Sequence, residues 1–259
     1  MTKTLLNSGS IEAYLIEEDN QKYFKKVVRN PNARDIHQIE TEIIALQNLD
    51  HPSIPKLISY SLNGKVEIVR EYKDGKALSE FLSTGTVFGR EEVVDIALKS
   101  LDALGYLHNK GILHRDVKPS NLIYDQNKDL FLVDLGIAKL RYFSGTTTTT
   151  VGGSFPYMAP EQYNGKSSPS SDIYSLGATL IELLTGKTID NYIRGNSIFE
   201  QRVELPAAID LNLRNILQCM TETDCRRRFQ SCSELASNFQ ALKQNDALIH
   251  LPKVKSTVQ

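Results

Sequence analysis

The sequence contains no tryptophan, only three cysteines and almost no excess of charge of either sign. Cys219, Cys225 and Cys232 are odd in number and none lies at C-x-x-C spacing, which argues against a disulfide framework and against a zinc site. The pattern favours reduced, structural thiols in a cytoplasmic protein. With 30 Lys and Arg against 31 Asp and Glu, we expect no long-range basic field for nucleic acid or for an acidic membrane surface.

Long apolar segments are missing as well. Near the start only Leu5 and Leu6 form an apolar patch, so no signal-peptide core is expected. The longest uncharged stretch, residues 142–160, is rich in Thr and Gly, and nothing in the sequence predicts a membrane span. The 259 residues, 41% of them hydrophobic, are enough to bury a sizeable core in one large domain or two small ones.

The first part of the chain has the pattern of β-strands with one helix. Four strands are predicted, at residues 11–16, 23–28, 57–62 and 66–71. The first two flank the turn-forming pair Asp19-Asn20, and the last two flank Asn63-Gly64, which is a strong hairpin signal. Between these hairpins, apolar residues recur with helical spacing over residues 36–49 and predict a helix that ends before His51-Pro52.

Beyond Gly75 the pattern becomes mainly helical. Helices are predicted at residues 93–107, 173–184, 211–220 and 233–242, with short strands at 122–124 and 130–133. We therefore expect an α+β organisation, in which a small β-rich unit is joined near residues 72–75 to a larger helical unit.

Chemically active side chains are concentrated in the segment His114-Arg115-Asp116-Val117-Lys118-Pro119-Ser120-Asn121. Its acid, lysine and asparagine can supply a base, a cation and an oxygen ligand within one short loop. Phosphoryl transfer needs such a set, to take a hydroxyl proton, to hold a phosphate and to bind Mg²⁺. Asp134 follows the predicted strand at 130–133 and adds a carboxylate that can bind a hard cation.

These motifs resemble those of the eukaryotic-type (Hanks-type) serine/threonine protein kinases, in the form of a compact, soluble bacterial member. The resemblance extends from about residue 5 to residue 242. It implies a two-lobed α+β kinase fold, with a small lobe of antiparallel sheet and one helix and a large, mainly helical lobe. We expect one kinase domain over residues 1–259, with the small lobe at 1–72, the hinge at 73–76, the large lobe at 77–245 and a short tail at 246–259.

The resemblance assigns catalytic roles in the large lobe. It makes Asp116 the catalytic base, Lys118 the lysine that contacts the γ-phosphate, and Asn121 and Asp134 the Mg²⁺ ligands. The resemblance also assigns structural or regulatory roles to four residues. Arg115 would bind a phosphate on the activation loop, and Asp172 would begin the central helix. Glu161 ends the motif Met158-Ala159-Pro160-Glu161, and Arg228 would be its partner.

The small lobe departs more from the family pattern. The strand lysine that contacts phosphate is expected to be Lys26, which places Phe24 at a position facing adenine. Lys25 remains the alternative, because strand alternation lets only one of the two lysines point inward. The expected partner of this lysine is Glu42 on the predicted helix, whereas Glu40 is expected to be solvated.

The resemblance also implies the contacts to the nucleotide. The glycine-rich loop is degenerate, since it keeps only Gly9, and its register relative to Ala13 stays open by one residue. Backbone groups of Glu71 and Lys73 in the hinge are expected to hydrogen-bond the adenine edge. Ile123 is expected to contribute to the same nucleotide site.

Arg70 precedes the hinge, at the gatekeeper position where the family usually has an apolar or small residue. A buried arginine must be paired, and the nearest expected acids are Glu42 and Asp134. If Glu42 is the partner, Arg70 is expected to compete with Lys26 and to hold an inactive arrangement.

The implied function is transfer of the γ-phosphoryl group of MgATP, with Mn²⁺ as a second usable cation, to Ser or Thr hydroxyls of a protein substrate in the cytoplasm. No nucleic acid or membrane partner is expected, and the sequence does not indicate an oligomeric state. The alternatives are a nucleotide-binding pseudokinase that acts as an interaction module, and a kinase of small molecules. The degenerate glycine loop and Arg70 favour the pseudokinase, and the complete set of catalytic residues opposes it.

Autophosphorylation is expected in the activation loop, between Asp134 and Glu161. Arg115 is the residue that would bind the added phosphate. The alternative is that this Thr-rich stretch is only a mobile spacer. The candidate phosphosites are Thr146, Thr147, Thr148, Thr149 and Thr150, with Ser144 nearby.

Overall fold

The computed structural model describes residues 2–29, 32–63, 66–140, 153–195, 202–244 and 251–252. The strands of the small lobe are β1 (Thr2–Asn7), β2 (Ile11–Glu18), β3 (Gln21–Val28), β4 (Leu57–Ser61) and β5 (Glu67–Glu71). They form one antiparallel sheet in the order β1-β2-β3-β5-β4. Helix α1 (Ala33–Leu46) connects β3 to β4 and packs on β4 and β5.

The β2–β3 hairpin and helix α1 are formed by local signals. Asp19 and Asn20 join β2 to β3 with φ of 50° and 62°, the left-handed values that a tight hairpin turn requires. Helix α1 begins after Asn32, whose side chain accepts a hydrogen bond from the backbone N–H of Asp35 at 2.9 Å. The helix buries the face that carries Ile39, Glu42 and Ile43. A buried acid on this apolar face needs a charged partner.

The large lobe is mainly helical. Its helices are α2 (Leu78–Ser83), α3 (Arg90–Asn109), α4 (Pro169–Thr185), α5 (Leu211–Met220) and α6 (Cys232–Lys243). Its short strands are β6 (Lys76–Ala77), β7 (Ile112–Leu113), β8 (Leu122–Tyr124), β9 (Leu130–Leu132), β10 (Lys139–Leu140), β11 (Ile193–Arg194) and β12 (Arg202–Val203). Helix α4 is buried along most of its length, because α3 and α5 both pack on it. The predicted α+β organisation is confirmed.

The two lobes are joined by residues 72–75 and by contacts made after α1. Gly75 has φ of +146°, and a Cβ there would lie 2.8 Å from Ile123 Cγ2 and 2.9 Å from the carbonyl oxygen of Tyr124, so only glycine fits. The backbone N–H of Leu132 donates to the carbonyl of Ser53 at 2.8 Å. These links between the lobes hold the end of β9 near α1 and β3, and the candidate site lies where these three elements meet.

Among the strands and helices named above, the sequence patterns missed β1, α2 and the two-residue strands β6, β7, β10, β11 and β12. Strand β1 is exposed along its whole length, so it lacks the alternation that marks a half-buried strand. Helix α2 has six residues, which is too short for helical periodicity to stand out. Helix α1 ends at Leu46, three residues before the predicted end at residue 49. None of the helices in the described ranges is both long enough and apolar enough to cross a membrane.

Candidate active site

Lys26 lies in a buried group of charges where β3, α1 and the loop after β9 meet. Its Nζ donates hydrogen bonds to Oε2 of Glu42 at 2.7 Å and to Oδ1 of Asp134 at 2.9 Å. Burial by itself disfavours the charged lysine, but the carboxylates of Asp134 and Glu42 outweigh burial and raise the pKa of Lys26. The pKa of Asp134 is lowered, because the positive charges of Lys26 and Arg70 outweigh its burial. Lys26 and Asp134 are therefore both charged at neutral pH.

Lys25, the alternative lysine, points to the other side of the sheet. Its Nζ donates to Oε1 of Glu67 at 2.8 Å. In the pairing of β3 with β5, Phe24 lies opposite Arg70 and Lys26 lies opposite Ile68, so Phe24, Lys26 and Arg70 share one face of the sheet. The geometry favours Lys26 over Lys25 for the predicted contact with phosphate.

Arg70 is buried beside the same carboxylate. Its Nε lies 3.4 Å from Oε1 of Glu42, whereas Lys26 bonds the other oxygen, Oε2. The expectation that Arg70 and Lys26 compete for Glu42 is therefore wrong for this arrangement, because the two cations contact different oxygen atoms.

The loop after β9 holds Asp134 in a strained backbone conformation. Asp134 has φ of 69°, in the left-handed region that non-glycine residues seldom adopt. The backbone N–H of Gly136 donates to Oδ1 of Asp134 at 3.2 Å and helps to keep this conformation. A Cβ on Gly136 would lie 2.7 Å from Cγ of Gln38 on α1. Helix α1 therefore lies directly against the loop that carries Asp134.

The loop that carries Asp116 is anchored by Asp172 of α4. Oδ2 of Asp172 accepts the backbone N–H of His114 at 3.0 Å, and Oδ1 accepts that of Arg115 at 2.7 Å. Arg115 has φ of 69°, so these two bonds hold a strained loop. Burial opposes the charge of Asp172, but its hydrogen bond with Nε2 of His108, its electrostatic interactions with His108 and His114 and the N–H of Arg115 together outweigh burial, so the pKa of Asp172 is lowered. His108 was not identified from the sequence, because this contact depends on how α3 packs against α4.

Asp116 is surrounded by polar side chains of the candidate catalytic loop. Nζ of Lys118 lies 2.7 Å from Oδ2 of Asp116 and donates to Oγ of Ser154 at 2.6 Å. Nδ2 of Asn121 donates to the carbonyl of Asp116 at 2.8 Å and to its Oδ2 at 3.1 Å. Oδ1 of Asp116 is buried and has no hydrogen-bond partner in the part of the chain that the structure describes. This oxygen therefore keeps lone pairs that no other group among the described residues uses.

The donor set beside this loop suits a hard divalent cation. The amide NH₂ of Asn121 donates its hydrogen bonds to Asp116, so the amide oxygen remains available as a metal ligand. Oδ1 of Asp134 accepts hydrogen bonds from Lys26 and from the N–H of Gly136, so Oδ2 remains available as a metal ligand. Within the described ranges no group of three or more His, Cys, Asp or Glu side chains could hold a metal by itself. Two oxygen ligands are what a Mg²⁺ shared with substrate phosphates needs.

The residues assigned to nucleotide contact border this site. Ala13 on β2 lies opposite Lys26 on β3, and Ile123 packs beneath Gly75 of the hinge. The backbone N–H of Glu71 donates to the carbonyl of Lys56 at 2.8 Å, and the Glu71 carboxylate pairs with Nζ of Lys73 at 2.8 Å. A Cβ on Gly9 would meet no atom closer than 3.8 Å, so the backbone alone does not require glycine there. Their roles stay predictions.

Glu161 and Arg228 form a bidentate pair in the core of the large lobe. Nη1 and Nη2 of Arg228 donate to Oε1 and Oε2 of Glu161 at 2.7 and 2.8 Å, and the arginine is fully buried. Arg228 also donates to the backbone carbonyls of Ser170, Glu222 and Thr223. Arg115 donates through Nη1 to the carbonyl of Ile137 at 3.2 Å. The candidate phosphosites, Ser144 and residues 146–150, lie outside the described residues.

A cavity of about 310 Å³ opens beside the candidate catalytic loop. Its lining includes Ser79 of α2, Ser120, Tyr157 and Glu182 of α4. The Tyr157 hydroxyl donates to Oε2 of Glu182, whose pKa is nevertheless raised, because burial disfavours its charge. No sequence pattern predicts this pair, since its residues are 25 positions apart and meet only in the fold. The cavity is large enough to hold a group of the size of a side chain.

The chain is similar in sequence to known proteins. The family model described as "Protein kinase domain" matches residues 7–240. The chain is 31% identical, over 82% of its length, to the probable serine/threonine-protein kinase PknB of Lactococcus lactis. It is 29% identical, over 93% of its length, to the serine/threonine-protein kinase PrkC of Bacillus subtilis. The matched regions cover 36% and 40% of those two relatives, so the chain spans well under half of their length.

Proposed function

Because the chain belongs to the protein kinase family, we propose that it transfers the γ-phosphoryl group of ATP to serine or threonine hydroxyls of protein acceptors. The observation that carries this proposal is the contact of Lys26 with both Glu42 and Asp134. Protein kinases need the lysine–glutamate ion pair and the metal-binding aspartate in place together. The kinase names of the bacterial relatives support the acceptor class and do not favour a catalytically silent binding module.

Four side chains divide the work of the proposed reaction. Asp116 orients the acceptor hydroxyl and takes its proton as the hydroxyl oxygen attacks the γ-phosphorus and the bond to the ADP oxygen breaks. Lys118 balances negative charge on the transferred group, and Lys26, held by Glu42, binds the remaining phosphates. Each of these groups is already positioned by a hydrogen bond or ion pair within the protein.

Asn121 and Asp134 are the residues that would hold Mg²⁺. Their oxygen atoms suit this cation, and Mn²⁺ accepts the same ligands. A divalent cation held there would supply positive charge to neutralise the charge that develops on the phosphates. Asp134 is suited to this task because its lowered pKa keeps it ionised at neutral pH.

The loop around Ser154 supports an alcohol acceptor on a protein. Lys118 contacts both Asp116 and Ser154, so the candidate catalytic loop and the segment before Pro160 are joined at the reacting group. The neighbouring cavity with Glu182 gives room for a side chain next to the acceptor residue. A cytoplasmic location and the absence of nucleic acid and membrane partners also remain proposals.

Phosphoryl transfer by the wild type and by the Asp116→Asn variant tests the proposed function. A generic protein acceptor and γ-labelled ATP with Mg²⁺ should give labelled phosphoserine or phosphothreonine with the wild type. Loss of the positioned base should lower the rate by about 10²–10⁴-fold while ATP binding survives. Similar rates for the two proteins would contradict the role of Asp116, and ATP binding without any transfer by the wild type would favour a pseudokinase.

We also propose autophosphorylation within Thr146 to Thr150. A phosphothreonine carries a charge of about −1.5 to −2, which suits the planar guanidinium of Arg115. We expect single Thr→Ala changes to be mild, because neighbouring threonines can substitute, and replacement of all five to be severe. Mass spectrometry after incubation with MgATP locates the phosphate. Full activity after replacement of all five would leave the stretch as a spacer.

A further inference from the structure

Arg70 is a buried cation in a sheet position that faces the candidate site. It is 6% exposed and lies in β5 opposite Phe24 of β3. Its Cζ lies 4.2 Å from the centroid of the Phe24 ring, so the guanidinium packs on the aromatic face. This packing restricts where the charged end of Arg70 can go, and it directs Nε toward α1.

Glu42 is the acid that Arg70 meets there. Glu42 is fully buried, and its Oε2 accepts the hydrogen bond from Lys26. Its Oε1 lies 3.4 Å from Nε of Arg70, and among the described residues neither of these two atoms has a hydrogen-bond partner. The contact between Arg70 and Glu42 is therefore an ion pair without a hydrogen bond. Without Arg70, half of a fully buried carboxylate would lack any positive partner, which is a costly state.

We propose that Arg70 is a positioning residue that holds Glu42, and with it helix α1, against Lys26. The two cations, Lys26 and Arg70, balance the two carboxylates, Glu42 and Asp134, in one contiguous group. The charges of the group are thus balanced by side chains of the protein itself. Arg70 acts on the reaction through Glu42 and Lys26. The inference rests on the proposed kinase function for its kinetic test alone.

The Arg70→Met and Arg70→Lys variants separate the charge of Arg70 from its packing. Methionine can still pack on Phe24 but has no charge, whereas the amine of lysine falls near the position of the arginine Cζ and can reach Glu42. We expect kcat to fall about tenfold in Arg70→Met, equivalent to about 1.4 kcal/mol, with little change in the KM for the protein acceptor. Arg70→Lys should recover most of kcat.

Lys25→Met is the matched control. It removes a cation from the neighbouring strand that is paired with Glu67 on the other face of the sheet, so kcat should change little. An Arg70→Met variant as active as the wild type, or more active, would overturn the inference. Equal losses in Arg70→Met and Arg70→Lys would also overturn it, because charge would then not be the property that matters.

Hydrogen exchange of the backbone amides in α1 gives a readout that does not require activity. We expect faster exchange over residues 33–46 in Arg70→Met, near wild-type exchange in Arg70→Lys and in Lys25→Met, and no change in α4 in any variant. Unchanged exchange in Arg70→Met would refute the positioning role. If the wild type transfers no phosphate, the proposed function fails, and this measurement still decides the role of Arg70.

Discussion

Lys26 and Lys25 are adjacent in the chain but differ in what their side chains contact. Lys26 joins Glu42 and Asp134, whereas Lys25 pairs with Glu67 on the opposite face of β3. Lys26→Met should therefore lower kcat by about 10²-fold or more, since the phosphates lose the group that positions them. Lys25→Met should keep most activity. Steady-state kinetics of both variants check this, and the reverse pattern would assign the phosphate contact to Lys25.

The sequence identifies the candidate site residues, but it does not decide between neighbouring candidates such as Lys25 and Lys26. Asp116, Asn121 and Asp134 follow from a dense local motif whose spacing already places the groups on two short loops. Lys26 needs the register of β3 against β5, which depends on pairing with residues more than 40 positions away. The relation of Arg70 to Glu42 needs atomic positions, because only these show that the two cations use different oxygens.

Helix α1 is the element whose stability should control the candidate site. Asn32→Ala removes the side chain that caps its first turn and should destabilise the helix by about 0.5–2 kcal/mol. Because α1 carries Glu42, we expect the rate of phosphoryl transfer to fall by more than the loss of global stability explains. Urea unfolding together with kinetics measures the two effects.

Asn32→Ser is the control for this element, since a serine hydroxyl also accepts the N–H of Asp35. It should restore both helix stability and activity. Equal activity in Asn32→Ala and Asn32→Ser would mean that the cap of α1 has no influence on the site.

Periodicity identified the longer elements, because they bury one face along several turns or residues. Helix α5, for example, has the predicted bounds, 211 and 220. Strand β1 was missed, since hydrogen bonds to β2 hold it in the sheet while its side chains stay exposed. The Tyr157–Glu182 contact was missed for a different reason, because it is created by tertiary packing alone.

On the scale of the whole molecule, Arg228 forms hydrogen bonds to three separate segments of the large lobe, at Glu161, at Ser170 and at residues 222–223. Arg228→Ala leaves Glu161 without its bidentate partner and removes one hydrogen-bond donor from each of three backbone carbonyls. Breaking such a buried pair costs about 3–5 kcal/mol. The midpoint of urea unfolding should fall accordingly.

Arg226→Ala is the matched control for Arg228→Ala. Arg226 lies two positions away and is exposed, and its ion-pair partner is Asp224. Its removal should change the unfolding midpoint little, because exposed pairs are screened by solvent. A similar loss in both variants would show that Arg228 stabilises the lobe no more than a surface charge does.

The close approach of Gln38 to Gly136 couples any movement of the loop that carries Asp134 to a movement on the side of α1. The loop that carries Asp134 has no free space on the side of α1, because even a single added carbon at position 136 would overlap Gln38. A turn of Asp134 away from Lys26 therefore has to be accompanied by movement of the Gln38 side chain or of α1 itself. We expect a ligand that requires the turned loop to associate at a rate limited by that movement, so that the rate levels off as the ligand concentration rises.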